Sequence, residues 1–186
     1  MTPPRHVLLL ALGALLVACA GTAPPPDWQL NAHGALARAQ EAYLSGNNGV
    51  EAIEFARVRA EIARTGRADL AARAELARCA TRVASLVLED CTGFDRLAMD
   101  AAAPEQAYAR YLAGQLHAQD AALLPPQHRA LAAQAGAGAL AAIEDPLSRL
   151  VAAGLERAKL FSWNTNARQT LALYEDLATG KLPPRP

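Results

Sequence analysis

The positions of apolar and polar residues repeat at helical spacing along most of the chain. Apolar residues recur three and four positions apart, which places them on one face of an α-helix. Glycine-rich turns and prolines interrupt this pattern, and proline is favoured in the first turn of a helix. The pattern predicts helices over about 31–45, 50–64 and 67–84, then from Pro104, from Pro125-Pro126 to about 143, from Asp145-Pro146, and over about 165–179.

The predicted helices are short and are joined by short turns, so we expect them to pack as antiparallel neighbours. The stretch 85–103 has the weakest periodicity. The two helices around Tyr43, Gly46 and Ala52 resemble a tetratricopeptide hairpin, over about one repeat and a fifth of the chain. We therefore predict an all-α protein, in which about six or seven short helices form antiparallel, tetratricopeptide-like hairpins.

Composition supports a folded helical protein and excludes some classes of function. Hydrophobic residues make up 52% of the 186 residues, which is enough for a sizeable core. Alanine, the best helix former, supplies about a quarter of the chain, whereas aromatic residues supply only 5%. The 18 basic residues balance the 18 acidic ones, which argues against a general nucleic-acid binder.

The first 18 residues have the features of an export signal. Arg5 precedes an apolar run, Val7 to Val17, that is too short to span a membrane as a helix. The segment ends in Leu16-Val17-Ala18-Cys19, which resembles a bacterial lipobox. That resemblance implies cleavage before Cys19 and acylation of this cysteine. The alternative is an ordinary secretory signal cleaved nearby, with Cys19 incidental.

The lipobox and the alanine-rich composition together resemble small outer-membrane lipoproteins of proteobacteria. In the sorting pattern of such lipoproteins, an aspartate directly after the lipidated cysteine retains the protein in the inner membrane. Here Ala20 follows, so the resemblance implies a lipid anchor in the outer membrane, facing the periplasm. The expected organisation is a signal peptide at 1–18, a lipidated tether at 19–26, a helical domain at 27–180 and an extended proline-rich tail at 181–186.

Two cysteines, Cys79 and Cys91, remain beside Cys19. The periplasm is oxidising, so we expect a disulfide where geometry permits one. Twelve residues of continuous helix would separate their Cα atoms by about 18 Å, which is too far. A bridge therefore requires the third helix to end near Ser85 or Leu86 and the chain to fold back. The alternative is a pair of buried, unreactive thiols.

Charge is distributed unevenly along the chain. Residues 57–82 contain seven arginines and three acids, whereas residues 89–120 contain six acids and two arginines. One interpretation is a basic face for anionic lipid or an acidic partner. We favour a second interpretation, in which the opposite charges of adjacent hairpins complement each other. The reason is that the acidic block, residues 89–120, follows closely after the basic block, residues 57–82.

Motifs for nucleotide or metal binding are weak. The segment 136–141 fits the pattern GxGxxA, but it lies within a predicted helix, where small residues allow close packing. His33, His117 and His128 do not pair at metal-ligand spacing, and we expect each of them at the surface or at a helix end. We predict no metal and no cofactor.

Glu89-Asp90 and Asp95 form the nearest approach to a carboxylate cluster. A glycan-cleaving enzyme of the cell envelope could use such a pair of carboxyl groups. Carboxylates in a turn more commonly cap helices or solvate loops, and no catalytic residue is predicted.

Large aromatic residues are concentrated in the C-terminal third, where we expect Phe161, Trp163 and Tyr174 to anchor the last helix to the core. The functional alternative is an aromatic groove for a peptide or glycan, to which Tyr108 and Tyr111 would also belong.

The function that agrees best with these observations is that of a non-enzymatic outer-membrane lipoprotein. It would act as a periplasmic adaptor or as an envelope- or secretion-assembly factor, and its partner would be another envelope protein. A more specific version resembles the secretin pilotins, which are lipoproteins that can have tetratricopeptide-like helices. The alternative is a lipoprotein that binds or processes peptidoglycan. The sequence leaves the oligomeric state open.

Overall fold

The computed structural model describes residues 24–134 and 136–180, and within these ranges the chain forms helices and no strand. The all-α prediction is confirmed. The predicted signal peptide, Cys19 and the tail 181–186 lie outside the described residues. The described helices are α1 (Asp27–Leu44), α2 (Asn48–Ala63), α3 (Ala68–Ala84), α4 (Thr92–Asp95), α5 (Ala103–Leu112), a 3-10 helix (Ala118–Leu123), α6 (Pro126–Ala133), α7 (Ala137–Ala141), α8 (Pro146–Ala158) and α9 (Trp163–Ala178).

Helices α1 and α2 form a tight hairpin at the N-terminal end of the described chain. Gly46 turns the chain with a φ of +82°, a conformation that glycine adopts without steric cost. The Asn47 side chain then caps α2 by accepting a hydrogen bond of 3.2 Å from the Val50 N–H. The buried face of α1 consists of four alanines, which allow α2 to approach closely. Those alanines are Ala32, Ala35, Ala39 and Ala42.

Helix α3 is the central element, because it contacts α1 and α2 on one side and α5 and α8 on the other. Ala74 packs in the cluster formed with α1 and α2, while Leu76, Cys79 and Val83 belong to a second, larger cluster. That second cluster also contains side chains from α4, α5 and α8. The close approach of α8 to α3 requires Gly154, because a Cβ there would lie 3.1 Å from the Val83 carbonyl oxygen.

The segment that was predicted as one helix up to residue 143 is divided in two. Helix α6 ends at Ala133, Gln134 is extended, and α7 occupies only residues 137–141. The single-helix prediction was therefore wrong. Gly136 and Gly138 explain the interruption, since glycine has a high entropic cost inside a helix. Segment 136–141 therefore lies at the start of α7 and not inside a longer helix, and a Cβ at Gly136 or Gly138 would meet nothing of the described chain within 4 Å, so the close packing expected at these glycines is not observed.

The prediction that Phe161, Trp163 and Tyr174 anchor the last helix to the core was wrong. These side chains are 67%, 86% and 64% exposed, and no residue of α9 is buried. The main core is formed without α9, because α5 and α8 both pack on α3. After α8 the chain starts a new helix at Ser162, whose hydroxyl caps α9 by accepting from the Thr165 N–H at 3.1 Å.

Candidate functional site

A groove of about 550 Å³ lies where α3, α5 and the start of α6 meet, and we name it the Tyr108 groove. Its volume falls in the range of about 300–1,000 Å³ that is usual for ligand sites. Apolar side chains supply most of its lining, and polar side chains lie among them. The apolar members are Leu76, Ala77, Ala80, Pro104, Tyr108, Leu123, Leu124, Pro125, Pro126 and Leu147; the polar ones are Gln40, Arg73, Glu105, Gln127 and Arg129.

Two proline-containing segments of the chain form part of the lining of this groove. Pro104 lies in the first turn of α5, and Pro125-Pro126 begins α6 after an extended residue. Leu124 is fully buried and thereby fixes the proline segment on the core. Arg129 also holds it, because its Nε donates a hydrogen bond of 2.7 Å to the Leu124 carbonyl.

A buried carboxylate lies in the lining of the Tyr108 groove. Glu105 is only 5% exposed, and its Oε1 accepts a hydrogen bond of 2.5 Å from Arg73 Nε. Its Oε2 is also buried and has no hydrogen-bond partner among the described residues. A buried acceptor without a donor is costly, so this oxygen, which belongs to a residue that lines the groove, has unused capacity to accept a hydrogen bond.

Behind the groove, two tyrosines and a histidine form a compact cluster. The His128 ring lies 5.6 Å from the Tyr108 ring and 5.0 Å from the Tyr111 ring, and the Tyr111 hydroxyl is 3.3 Å from His128 Nδ1. Burial raises the pKa of Tyr111 to about 12 and raises the pKa of Tyr108 as well. Burial lowers the pKa of His128 to about 4, although the Asp145 carboxylate acts in the opposite direction. These side chains are therefore neutral at pH 7.

The burial of His128 was not predicted. His33 and His117 are exposed, but His128 has no exposed surface and its Nε2 has no partner among the described residues. A signal for it exists in the sequence, because Leu124, His128 and Leu131 recur at spacings of four and three. All three are buried.

The five predicted groove residues do not form one site. Tyr108 lines the Tyr108 groove, whereas Tyr111 lies in the core beneath it. Phe161 and Trp163 border a separate concavity of about 400 Å³, and Tyr174 lies farther along α9 and outside that concavity. The structure therefore places one of the five residues in the Tyr108 groove and separates it from the aromatic residues of α9.

A second groove, of about 570 Å³, contains the three carboxylates noted in the sequence, and we name it the acidic groove. Glu89, Asp90 and Asp95 all line it, together with Arg110 and Lys159. Three of these charges have partners inside the chain, and one of them is Lys159, which donates to Glu156 at 2.5 Å. Glu89 accepts from Arg82 at 2.8 Å, and Arg110 donates to Asp120 at 2.6 Å.

Cys79 and Cys91 lie at disulfide distance, with their Cα atoms 5.8 Å apart. Helix α3 ends at Ala84, and Leu86 takes a left-handed conformation with a φ of +62°. The Val87 N–H then donates to the Arg82 carbonyl at 3.0 Å, which turns the chain back. The predicted end of the third helix near residues 85 and 86 is confirmed, and Cys91 also borders the acidic groove.

Acidic side chains of the described chain neutralise the arginines of the basic block, residues 57–82. Each of its seven arginines has an acidic partner within 4.0 Å, and two of those partners, Glu89 and Glu105, come from the acidic block. The most buried partner is Glu51 of α2, which accepts from Arg78 at 2.6 Å and 3.0 Å. These contacts agree with the interpretation that neighbouring helices complement each other.

In residues 24–134 and 136–180, no three histidine, cysteine, aspartate or glutamate side chains lie close enough together to hold one metal ion, and no helix in these ranges is long and apolar enough to cross a membrane. A scan against protein-family models, a search of curated proteins and a search of solved structures all gave no match.

Proposed function

We propose that this protein is a non-enzymatic, lipid-anchored adaptor of the outer membrane that binds an extended segment of another envelope protein in the Tyr108 groove. The observation that carries the proposal is the lining of this groove, which combines an apolar surface with a buried, unpaired carboxylate oxygen. Such a surface matches a peptide with apolar side chains and a basic or N–H donor group.

The groove offers both parts of the recognition that an extended segment needs. Leu123 and Leu147 provide apolar contact for side chains, whereas Gln40 and Gln127 carry amides that can pair with a peptide backbone. Tyr108, which is half-buried and neutral, gives a rigid aromatic surface at the centre.

The lipobox-like sequence Leu16-Val17-Ala18-Cys19 supports the proposed location. Acylation at Cys19 would hold the helical domain near the bilayer, because only seven residues separate Cys19 from the start of α1 at Asp27. Cys19→Ser is expected to release the protein from the membrane fraction into the soluble periplasm. Retention of this variant in the membrane would contradict the anchor without affecting the groove.

Site-specific photocrosslinking in cells tests the groove. A photoreactive residue at Leu123, which is 38% exposed and lines the groove, should form an adduct with one envelope protein. The same residue at Ala56, which is exposed on α2 away from the groove, is the matched control and should form none.

A second change then blocks the groove. Ala77→Arg places a long side chain in the lining and should abolish the Leu123 adduct, whereas Ala56→Arg should leave it intact. Circular dichroism establishes that both variants fold. Equal adducts from Leu123 and Ala56, or an adduct that survives Ala77→Arg in a folded protein, would refute the adaptor site.

One observation favours the alternative class, a peptidoglycan-binding or peptidoglycan-processing lipoprotein. The acidic groove collects Glu89, Asp90 and Asp95 on one concave surface beside Lys159. Co-sedimentation with purified peptidoglycan sacculi tests this function, with Asp95→Asn in the groove compared with the exposed Asp176→Asn on α9. Binding that is lost only in Asp95→Asn would support the alternative, and release of soluble fragments would make it an enzyme.

A further inference from the structure

Helix α9 carries an apolar face that nothing in the described chain covers. All of its residues are exposed, and the apolar ones include Leu171 at 57% and Leu177 at 47%. Large apolar side chains in this number on one short helix are unusual for a surface that faces only water.

The apolar face has the geometry of a helix-pairing stripe. Ala167, Leu171, Tyr174 and Ala178 follow one another at spacings of four, three and four. This is the spacing at which two helices pack side by side, with small residues at the ends of the stripe and large ones at its centre.

Two opposite charges border this stripe on the same side. Arg168 directly follows Ala167, and Glu175 directly follows Tyr174, so each has the same position relative to the stripe. They lie seven residues, or about 10 Å, apart along the helix. Neither takes part in an ion pair among the described residues.

We propose that the occupant of this face is α9 of a second copy of the chain, packed antiparallel. A two-fold axis between Leu171 and Tyr174 brings the same border of both helices together. Arg168 of each copy then faces Glu175 of the other, which gives two symmetric ion pairs. In the core of the pair, Leu171 packs on Tyr174 of the second copy, and Ala167 packs on Ala178.

Other arrangements lack this complementarity. A parallel pair would place Glu175 beside Thr170 of the other copy and Arg168 beside Trp163, without opposite charges. A helix that lies on an anionic membrane usually has basic residues along its polar face, whereas α9 has one arginine against Glu175 and Asp176. The charges therefore favour an antiparallel self-pair.

Charge reversal in the full chain, extracted in mild detergent and studied by sedimentation equilibrium, tests this arrangement. The wild type should dimerise reversibly. Arg168→Glu and Glu175→Arg should each raise the dissociation constant by about tenfold, since like charges then face each other twice. An equimolar mixture of the two variants should recover dimerisation, because both cross-pairs are again opposite in charge.

Asp176→Arg is the matched control, because Asp176 lies away from the stripe and its reversal should not affect dimerisation. Tyr174→Asp should abolish the dimer, and helicity by circular dichroism shows whether that variant folds. A wild type that stays monomeric, or a dimer that single reversals do not weaken, would overturn the proposal. The proposal would also be overturned if the mixture of Arg168→Glu and Glu175→Arg dimerised no more tightly than either variant alone. None of these results bears on the Tyr108 groove.

Discussion

Mild acid should destabilise this protein mainly through one side chain, His128. Its pKa is about 4 in the folded chain and about 6.5 in the unfolded chain. Between these values the unfolded state binds a proton that the folded state does not, so the free energy of unfolding falls as the pH falls through this window. The stabilisation is fully present above pH 6.5. Between pH 7 and pH 4.5 we expect a loss of about 2 kcal/mol.

The structure explains why the folded state rejects this proton. His128 has no exposed surface, and its Nε2 has no acceptor among the described residues. Its other ring nitrogen faces the Tyr111 hydroxyl at 3.3 Å, and the nearby carboxylate of Asp145 offsets only part of the cost of burial. A charged imidazole here would therefore lack solvent and would gain little compensation.

Urea unfolding followed by circular dichroism, at several pH values from 7 to 4.5, measures this loss. His128→Asn keeps a polar atom near Tyr111 but cannot titrate, so its free energy of unfolding should change far less over the same range. His117→Asn, at an exposed position, is the control and should retain the wild-type dependence on pH. If His128→Asn loses as much stability in acid as the wild type, the assignment to His128 is incorrect.

Three further predictions concern packing and cross-links. Gly154→Val should lower the thermal midpoint and reduce the free energy of unfolding by about 1–3 kcal/mol, because α3 leaves no room for the side chain. Gly138→Ala is the control, because its side chain meets open space and should not destabilise the protein. Glu51→Ala should cost about 3 kcal/mol in urea unfolding, since it leaves Arg78 without its buried partner; a loss below about 0.5 kcal/mol would show that the pair is not structural. Replacing both Cys79 and Cys91 by serine should lower the free energy of unfolding by at most about 3 kcal/mol, and unchanged stability together with full thiol labelling of the wild type would argue against the bridge.

The helices could be predicted from the sequence because their signals are local. The apolar spacing, the first-turn proline at Pro104 and the glycine turn at Gly46 each act within a few residues. The end of α3 followed from a geometric requirement, since Cys79 and Cys91 could not meet along a continuous helix.

The site was harder to predict because it depends on contacts between distant segments. Periodicity identifies the apolar face of a helix but not what that face contacts, which is why α9 was expected to pack on the core although it lies exposed. Likewise, the unpaired oxygen of Glu105 arises from the position of Arg73, 32 residues earlier in the chain. A contact between residues as distant in the chain as Arg73 and Glu105 is visible only in the folded structure.

The alanine face of α1 has a consequence for how the molecule opens. Alanine buries little apolar area, so each of the four buried positions of α1 contributes less to holding the helix than Leu76 or Val83 contributes to α3. Backbone amides of α1 should consequently exchange with solvent deuterium well before those of α3, because local opening follows the least strongly held element. Helix α1, which follows the proposed membrane tether, then detaches while α3, α5 and α8 remain assembled, and only an element without buried residues, such as α9, should open earlier.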